Sequence, residues 1–239
     1  MSADDPFQLF GAAHLTALAM VAATALLLPL LVRRYRPAAA RRVGLVLAAL
    51  LLAQEGVQVT LAAISQGLTV ALLPLHLCTL AVYLTAWMLA TGSRRVYEVV
   101  YFWGLGGTTQ ALATPEVAHG FPSPDFILFF LGHGLVVVGV LYATLAYHLR
   151  PYPSSILRVT LITLTVAAAI LGVNLWLGTN FLFLMAKPSG ASLLDWLGRW
   201  PWYWLSLIAV ALLTFALLYL PFFVADRLHP RTGIAMPEH

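Results

Sequence analysis

Seven stretches of this chain, residues 12–32, 43–64, 69–90, 96–113, 126–148, 156–178 and 202–224, stay apolar over about 18–23 residues each. A helix rising 1.5 Å per residue crosses ~30 Å of hydrocarbon in such a run. No other feature constrains the fold as much. Backbone in lipid must satisfy its hydrogen bonds internally, which leaves helices and closed barrels. The ten-residue alternation of barrel strands is missing. The expected fold is therefore all-α: one polytopic bundle of seven transmembrane helices occupying residues 1–239. Composition agrees, because 61% of the 239 residues are hydrophobic and only 9% charged, against about 25% charged in soluble domains. So little polar surface excludes a soluble enzyme, and the net charge of +4 marks topology rather than a nucleic-acid partner.

The fourth stretch is the most polar, with Glu98, Gly104, Gly106, Gly107 and Gln110. Arginine parity supports it as a span. With seven spans, Arg33, Arg34, Arg36, Arg41, Arg42, Arg94, Arg95, Arg150, Arg158, Arg227 and Arg231 fall on one side, and only Lys187 and Arg199 on the other. By the positive-inside rule the arginine side is cytoplasmic, which puts the N-terminus outside and the C-terminus inside. The opening MSADDPF has no basic n-region, so the first run is expected to be a retained span. Among the external connections, residues 114–125 carry three prolines and one glycine and read as a structured turn. Residues 187–204 hold four tryptophans and one tyrosine. They read as an aromatic belt, with a short interfacial helix over residues 192–198.

Polar residues inside the spans carry the functional signal, since each one in hydrocarbon requires a partner or a task. Span two holds Gln54, Glu55 and Gln58, span three His76, span five His133 between Gly132 and Gly134, and span six Asn174, with Asn180 at its boundary. Glu55 lies ~13 Å below the outer end of its span, and His76 and His133 lie on the order of 10 Å below the surface. Four spans therefore bring polar groups to one outer-leaflet layer. Glu55, His76 and His133 are the candidate reactive groups, with Gln54, Gln58, Asn174 and Asn180 as candidate substrate-binding groups. Polar glue between helices is the competing explanation for the amides. Cys78 is a candidate nucleophile on chemistry alone, although on one helix it would face away from His76, and Thr79 would share the histidine's face. Glu98 is expected to pair locally with Arg94 or Arg95. His14, His119, His148 and His229 are expected to be exposed at span ends or in loops. No P-loop, metal-ligand spacing or Gly-x-Ser-x-Gly elbow occurs, so no metal or cofactor is expected.

The stretches LPLHLC, TPEVAHGFP, FFLGHG and GTNFLFLMAKPSGASLLDWLGRWPWYW together resemble the YwaF-like family of bacterial integral membrane proteins. More distantly, the chain is similar to the transmembrane protein 164 type of eukaryotic ether-phospholipid acyltransferase, and to androgen-induced-gene type lipid hydrolases. The resemblance implies a multi-pass protein of the bacterial cytoplasmic membrane, with membrane lipids as its partners. Those relatives are described as using a Cys or Thr nucleophile and a His on a later span, a position matched by His133. Where the acyltransferase has Pro-Cys-His, this chain reads Pro74-Leu75-His76, so the nucleophile position is filled by leucine. Water activated by a histidine is then the expected fallback, with Glu55 orienting the imidazole.

Two functional classes follow. The first is a lipid-active enzyme, an acyltransferase or hydrolase, with His133 as general base and His76 as second base or oxyanion donor. It implies a cavity open sideways to lipid near the aromatic stretch. The second is a proton-linked small-molecule transporter or a non-enzymatic membrane binding protein, with Glu55 and the histidines as the relay. A retinal pigment is excluded, because Schiff-base attachment requires a lysine in a span and the only lysine, Lys187, lies in a loop.

Overall fold

The computed structural model describes residues 5–187, 198–199 and 201–228. Among the described residues seven helices follow one another: α1 (Ala12–Tyr35), α2 (Ala40–Gln66), α3 (Leu77–Thr91), α4, α5 (Pro124–Ala146), α6 (Pro153–Leu177) and α7 (Tyr203–Leu228). The fourth, α4, runs from Arg94–Trp103 through a π-helical turn at Gly104–Thr108 into Thr109–Ala113. There is no β-strand among the described residues, only an isolated bridge between Pro6 and His119. The fold is thus all-α. Five helices are long and apolar enough to cross a membrane: α1, α2 with its preceding turn, α5, α6 and α7. The protein is an integral membrane protein built from them.

The third segment departs from expectation. It is not one helix over residues 69–90. Residues 70–72 form a 3₁₀ turn, Leu73 is extended (φ −61, ψ 135), and His76 caps α3 in an extended conformation (φ −77, ψ 145). Pro74 is the physical reason, since it disfavours the α region for the residue before it and offers no N–H. The 15 residues left in α3 rise only ~22 Å. The interfacial helix expected over residues 192–198, apart from its last residue, lies outside the described residues, as do Trp196 and Trp200 of the aromatic belt and His229. Residues 114–123 contain no helix and end on Ser123, whose hydroxyl accepts the Phe126 N–H to cap α5.

Helix α5 is the hub, and small residues bring its neighbours close. A Cβ added at Gly132 would come within 2.7 Å of Gln54 of α2, one at Gly134 within 2.6 Å of Val21 of α1, and one at Gly139 within 2.7 Å of Thr85 of α3. On the fourth side the π turn applies Gly104 to Val136 and Val140. With no hydrophobic drive between helices in lipid, such close backbone approach is what holds them. Helix α2 presents Gly44, Leu47, Ala48, Leu51, Gln54 and Glu55 as its buried face, the three-and-four spacing of one helical stripe.

The pair α6–α7 enters the same apolar core through Val159, Phe215 and Tyr219 and is tied to it further by polar contacts from α4. Trp103 Nε1 donates to Thr163 Oγ1 at 2.8 Å, and the Tyr101 hydroxyl donates to the Leu218 carbonyl at 2.8 Å. Glu98 pairs with Arg158 of α6, sixty residues away and not with Arg94 or Arg95 as its spacing suggested. Arg94 instead stacks over the ring of Tyr152. Arg150, in the α5–α6 connection, grips Asp226 of α7 with both guanidinium nitrogens, Nη1 to Oδ1 being 2.8 Å.

Two stability tests follow. Gly139→Ala should destabilise the detergent-solubilised protein by about 1–3 kcal/mol, as overpacking does, while Gly172→Ala, with no atom within 4 Å of the added Cβ, should leave its thermal unfolding unchanged. The Glu98 side chain is 4% exposed and that of Arg158 50%. Arg158→Ala therefore strands a carboxylate in the interior and should cost about 3 kcal/mol, whereas Glu98→Ala frees an arginine that can reach water and should cost less.

Candidate functional site

His133 stands on α5 between the two glycines that seat α2 and α1. It is half-buried. Its Nδ1 lies 2.9 Å from the Phe129 carbonyl, and its ring stacks on that of Phe129 with centroids 4.1 Å apart. A carbonyl can only accept, so Nδ1 carries the hydrogen. In the neutral ring that leaves Nε2 with its lone pair free, the form required of a general base. The group fixing the tautomer is thus the helix backbone and not Glu55, as the sequence reading had it.

Beside it, Gln54 joins α2 to α5. Its Nε2 donates to the Leu128 carbonyl at 3.1 Å and to Gln58 Oε1 at 2.8 Å. Glu55, 7% exposed, is one position further round α2, within electrostatic reach of Tyr83 on α3.

His76 belongs to a second grouping. Its ring meets Phe181 edge-on at 5.2 Å and Phe183 at 6.0 Å. Both phenylalanines lie in the turn after α6, where Gly178 leaves the helix with φ +67. Asn174 builds that turn. Its Oδ1 accepts from the Phe181 N–H at 2.8 Å and the Thr179 hydroxyl at 2.9 Å, and its Nδ2 donates to the Phe181 carbonyl at 2.9 Å. Asn180 does the same one step on, accepting from the Met185 and Ala186 N–H groups and donating to the Ala186 carbonyl. Both amides are engaged within their own turn, so the effect of Asn174 on His76 passes through the position of Phe181.

No hydrogen bond joins Glu55, His76, His133 and Asn174 to one another. The single polar layer expected from depth divides into an α2–α5 group, Gln54, Gln58 and His133, and an α3–α6 group, His76 and Asn174. Cys78 is a free, half-buried thiol in the first turn of α3. Because His76 precedes that helix, the helical-face argument that separated the two does not apply. His14, expected at an exposed span end, is buried at 1%. Its Nδ1 accepts from the Phe10 N–H at 3.0 Å and its Nε2 reaches the Leu112 carbonyl at 2.8 Å, so both nitrogens have structural partners.

One polar atom near the level of His133 was not anticipated. Thr108, on the π turn, is 1% exposed and its hydroxyl has no hydrogen-bond partner among the described residues. The run Gly104-Leu105-Gly106-Gly107 was its only signal in the sequence, since glycines inside a helical pattern mark irregular turns. Two surface recesses, of about 440 and 310 Å3, lie away from all these residues, one around Arg41, Gly92 and Tyr147 and the other along α6 beside Arg158.

The family model described as the TMEM164 family matches residues 9–219. That span runs from ahead of α1 into α7 and includes every candidate residue above. No curated protein and no solved structure matches the chain significantly. The match answers to the transmembrane protein 164 side of the resemblance and not to its YwaF-like side. With the match covering all but the two ends, the chain belongs to the TMEM164 family of membrane proteins.

Proposed function

We propose that this protein is a membrane-embedded lipid-active enzyme, an acyltransferase or lipid hydrolase, that uses His133 as its general base. The observation carrying this reading is the Nδ1 contact to the Phe129 carbonyl at 2.9 Å, which leaves a basic Nε2 on a half-buried ring. The likeness to a lipid acyltransferase family supports the substrate class. In the reaction, Nε2 takes the proton of an attacking hydroxyl, either water or the free hydroxyl of a lysophospholipid, as its oxygen bonds to the ester carbonyl carbon. Collapse of the tetrahedral intermediate breaks the bond to the original alcohol, and Nε2 returns the proton to that leaving oxygen. Hydrolysis and acyl transfer thus differ only in the attacking hydroxyl. Cys78, in the turn after His76, is the alternative nucleophile.

The bundle is read as seven spans with the N-terminus outside. Arginine parity supports this, as does the pairing of Arg41 with the last carbonyls of α3, of Arg158 with Glu98, and of Arg150 with Asp226, all at the arginine-rich end. His133 then sits in the outer half, and the substrate is an outer-leaflet phospholipid.

Purified protein in phosphatidylcholine vesicles doped with a lysophospholipid should release fatty acid or exchange acyl chains, as read by mass spectrometry. His133→Ala should lower that turnover about 100-fold or more. Turnover untouched by His133→Ala would sink the enzyme reading. Uptake driven by a pH gradient and lost in Glu55→Gln would favour the transporter instead.

A further inference from the structure

We infer that Thr108 is a substrate-positioning residue of the His133 site, its hydroxyl donating to the ester carbonyl oxygen on which negative charge develops. This rests on the reading of His133 as base. Two contacts bracket the level of Thr108 along α5. Four residues before it, Gly104 meets Val136 and Val140. Four residues after it, the Leu112 carbonyl bonds His14, whose ring lies 5.4 Å from that of Phe130. Helix α5 runs antiparallel to α4, so the level between these contacts is that of His133. The face agrees too. His133 lies three positions before Val136 and seven before Val140, on the same stripe of α5. Within the wider π turn, Thr108 stacks over Gly104.

The state of the hydroxyl is the second observation. Thr144, Thr160, Thr163 and Thr214 each donate back to the carbonyl four residues earlier at 2.8 Å, the usual arrangement for a threonine in an apolar helix. Thr108 does not, and its Oγ1 has no partner among the described residues although the residue is 1% exposed. A buried hydroxyl left unpaired costs about 1–3 kcal/mol, a cost offset when a substrate oxygen takes the bond. The three other unpaired buried side-chain atoms among the described residues, of Gln54, Thr85 and Arg150, differ in surroundings. Gln54 Oε1 is wedged against Gly132 and the Thr85 methyl against Gly139, each within 2.7 Å of where a Cβ would stand, and Arg150 is already bound to Asp226 through its other guanidinium nitrogens.

The test compares Thr108→Val, Thr108→Ser and His133→Ala in the vesicle assay, with thermal unfolding measured in parallel. Valine removes only an unpaired hydroxyl, so the melting temperature should hold or rise. Turnover should fall about 100-fold, as loss of one oxyanion donor does, with the loss in kcat rather than KM, and serine should restore most of it. Full turnover in Thr108→Val beside an inactive His133→Ala would overturn this inference and leave the enzyme reading standing. Full turnover in both variants would overturn the two together.

Discussion

The contact on which the rest of this structure depends is the approach of three helices to the backbone of α5. Lipid tails are as apolar as leucine, so burial alone gives helices in a membrane little reason to associate. Dispersion does, but it falls off over fractions of an ångström. Gly132, Gly134 and Gly139 remove the side chains that would hold α2, α1 and α3 away. The same geometry explains why a functional side chain stands here. His133 lies between two positions where its helix is gripped, so the ring projects from a backbone with little freedom to shift. Rigid placement of this kind is what proton transfer over ~3 Å requires.

The outer pair α6–α7 follows a different rule. Besides the core contacts of Val159, Phe215 and Tyr219, it is tied by the polar atoms of Tyr101, Trp103 and Glu98 and by the Arg150–Asp226 clasp. Both ion pairs are at the arginine-rich end. At the other end the pair rests on an apolar cluster of Ile170, Phe181 and Leu184, with Leu75 and Trp204 against it. One end of the pair is therefore held by ion pairs, and the other by apolar contact with hydrogen bonds from Tyr203 and Trp204 to the Phe183 and Leu184 carbonyls.

Much of this architecture was legible in the sequence. Apolar run length located the helices other than α3 to within a few residues, because the membrane sets a length that few other constraints can imitate. The start of α5 was marked by Ser-Pro-Asp, and Pro74 carried a readable warning that α3 would begin late. What escaped was whatever depended on a partner far along the chain. Glu98 has arginines at three- and four-residue spacing, yet bonds the one sixty residues on, and His14 is buried by a carbonyl ninety-eight residues away. Spacing on one helix cannot register such contacts. The candidate site shows the same division. Glu55, His76, His133 and Asn174 were expected as polar groups at one depth, but depth fixes only one coordinate of three, and the angular positions sorted His133 and Asn174 into separate groups.

The bond that sets the His133 tautomer is made by a main-chain oxygen. Every amino acid at position 129 would present the same carbonyl at the same place, so a scan of side chains around the ring would pass over it without effect. Replacing Phe129 would remove the stacking and leave the proton where it is. The protonation pattern of this histidine is thus written into the pitch of an α-helix, and it would change only if the helix itself were broken there.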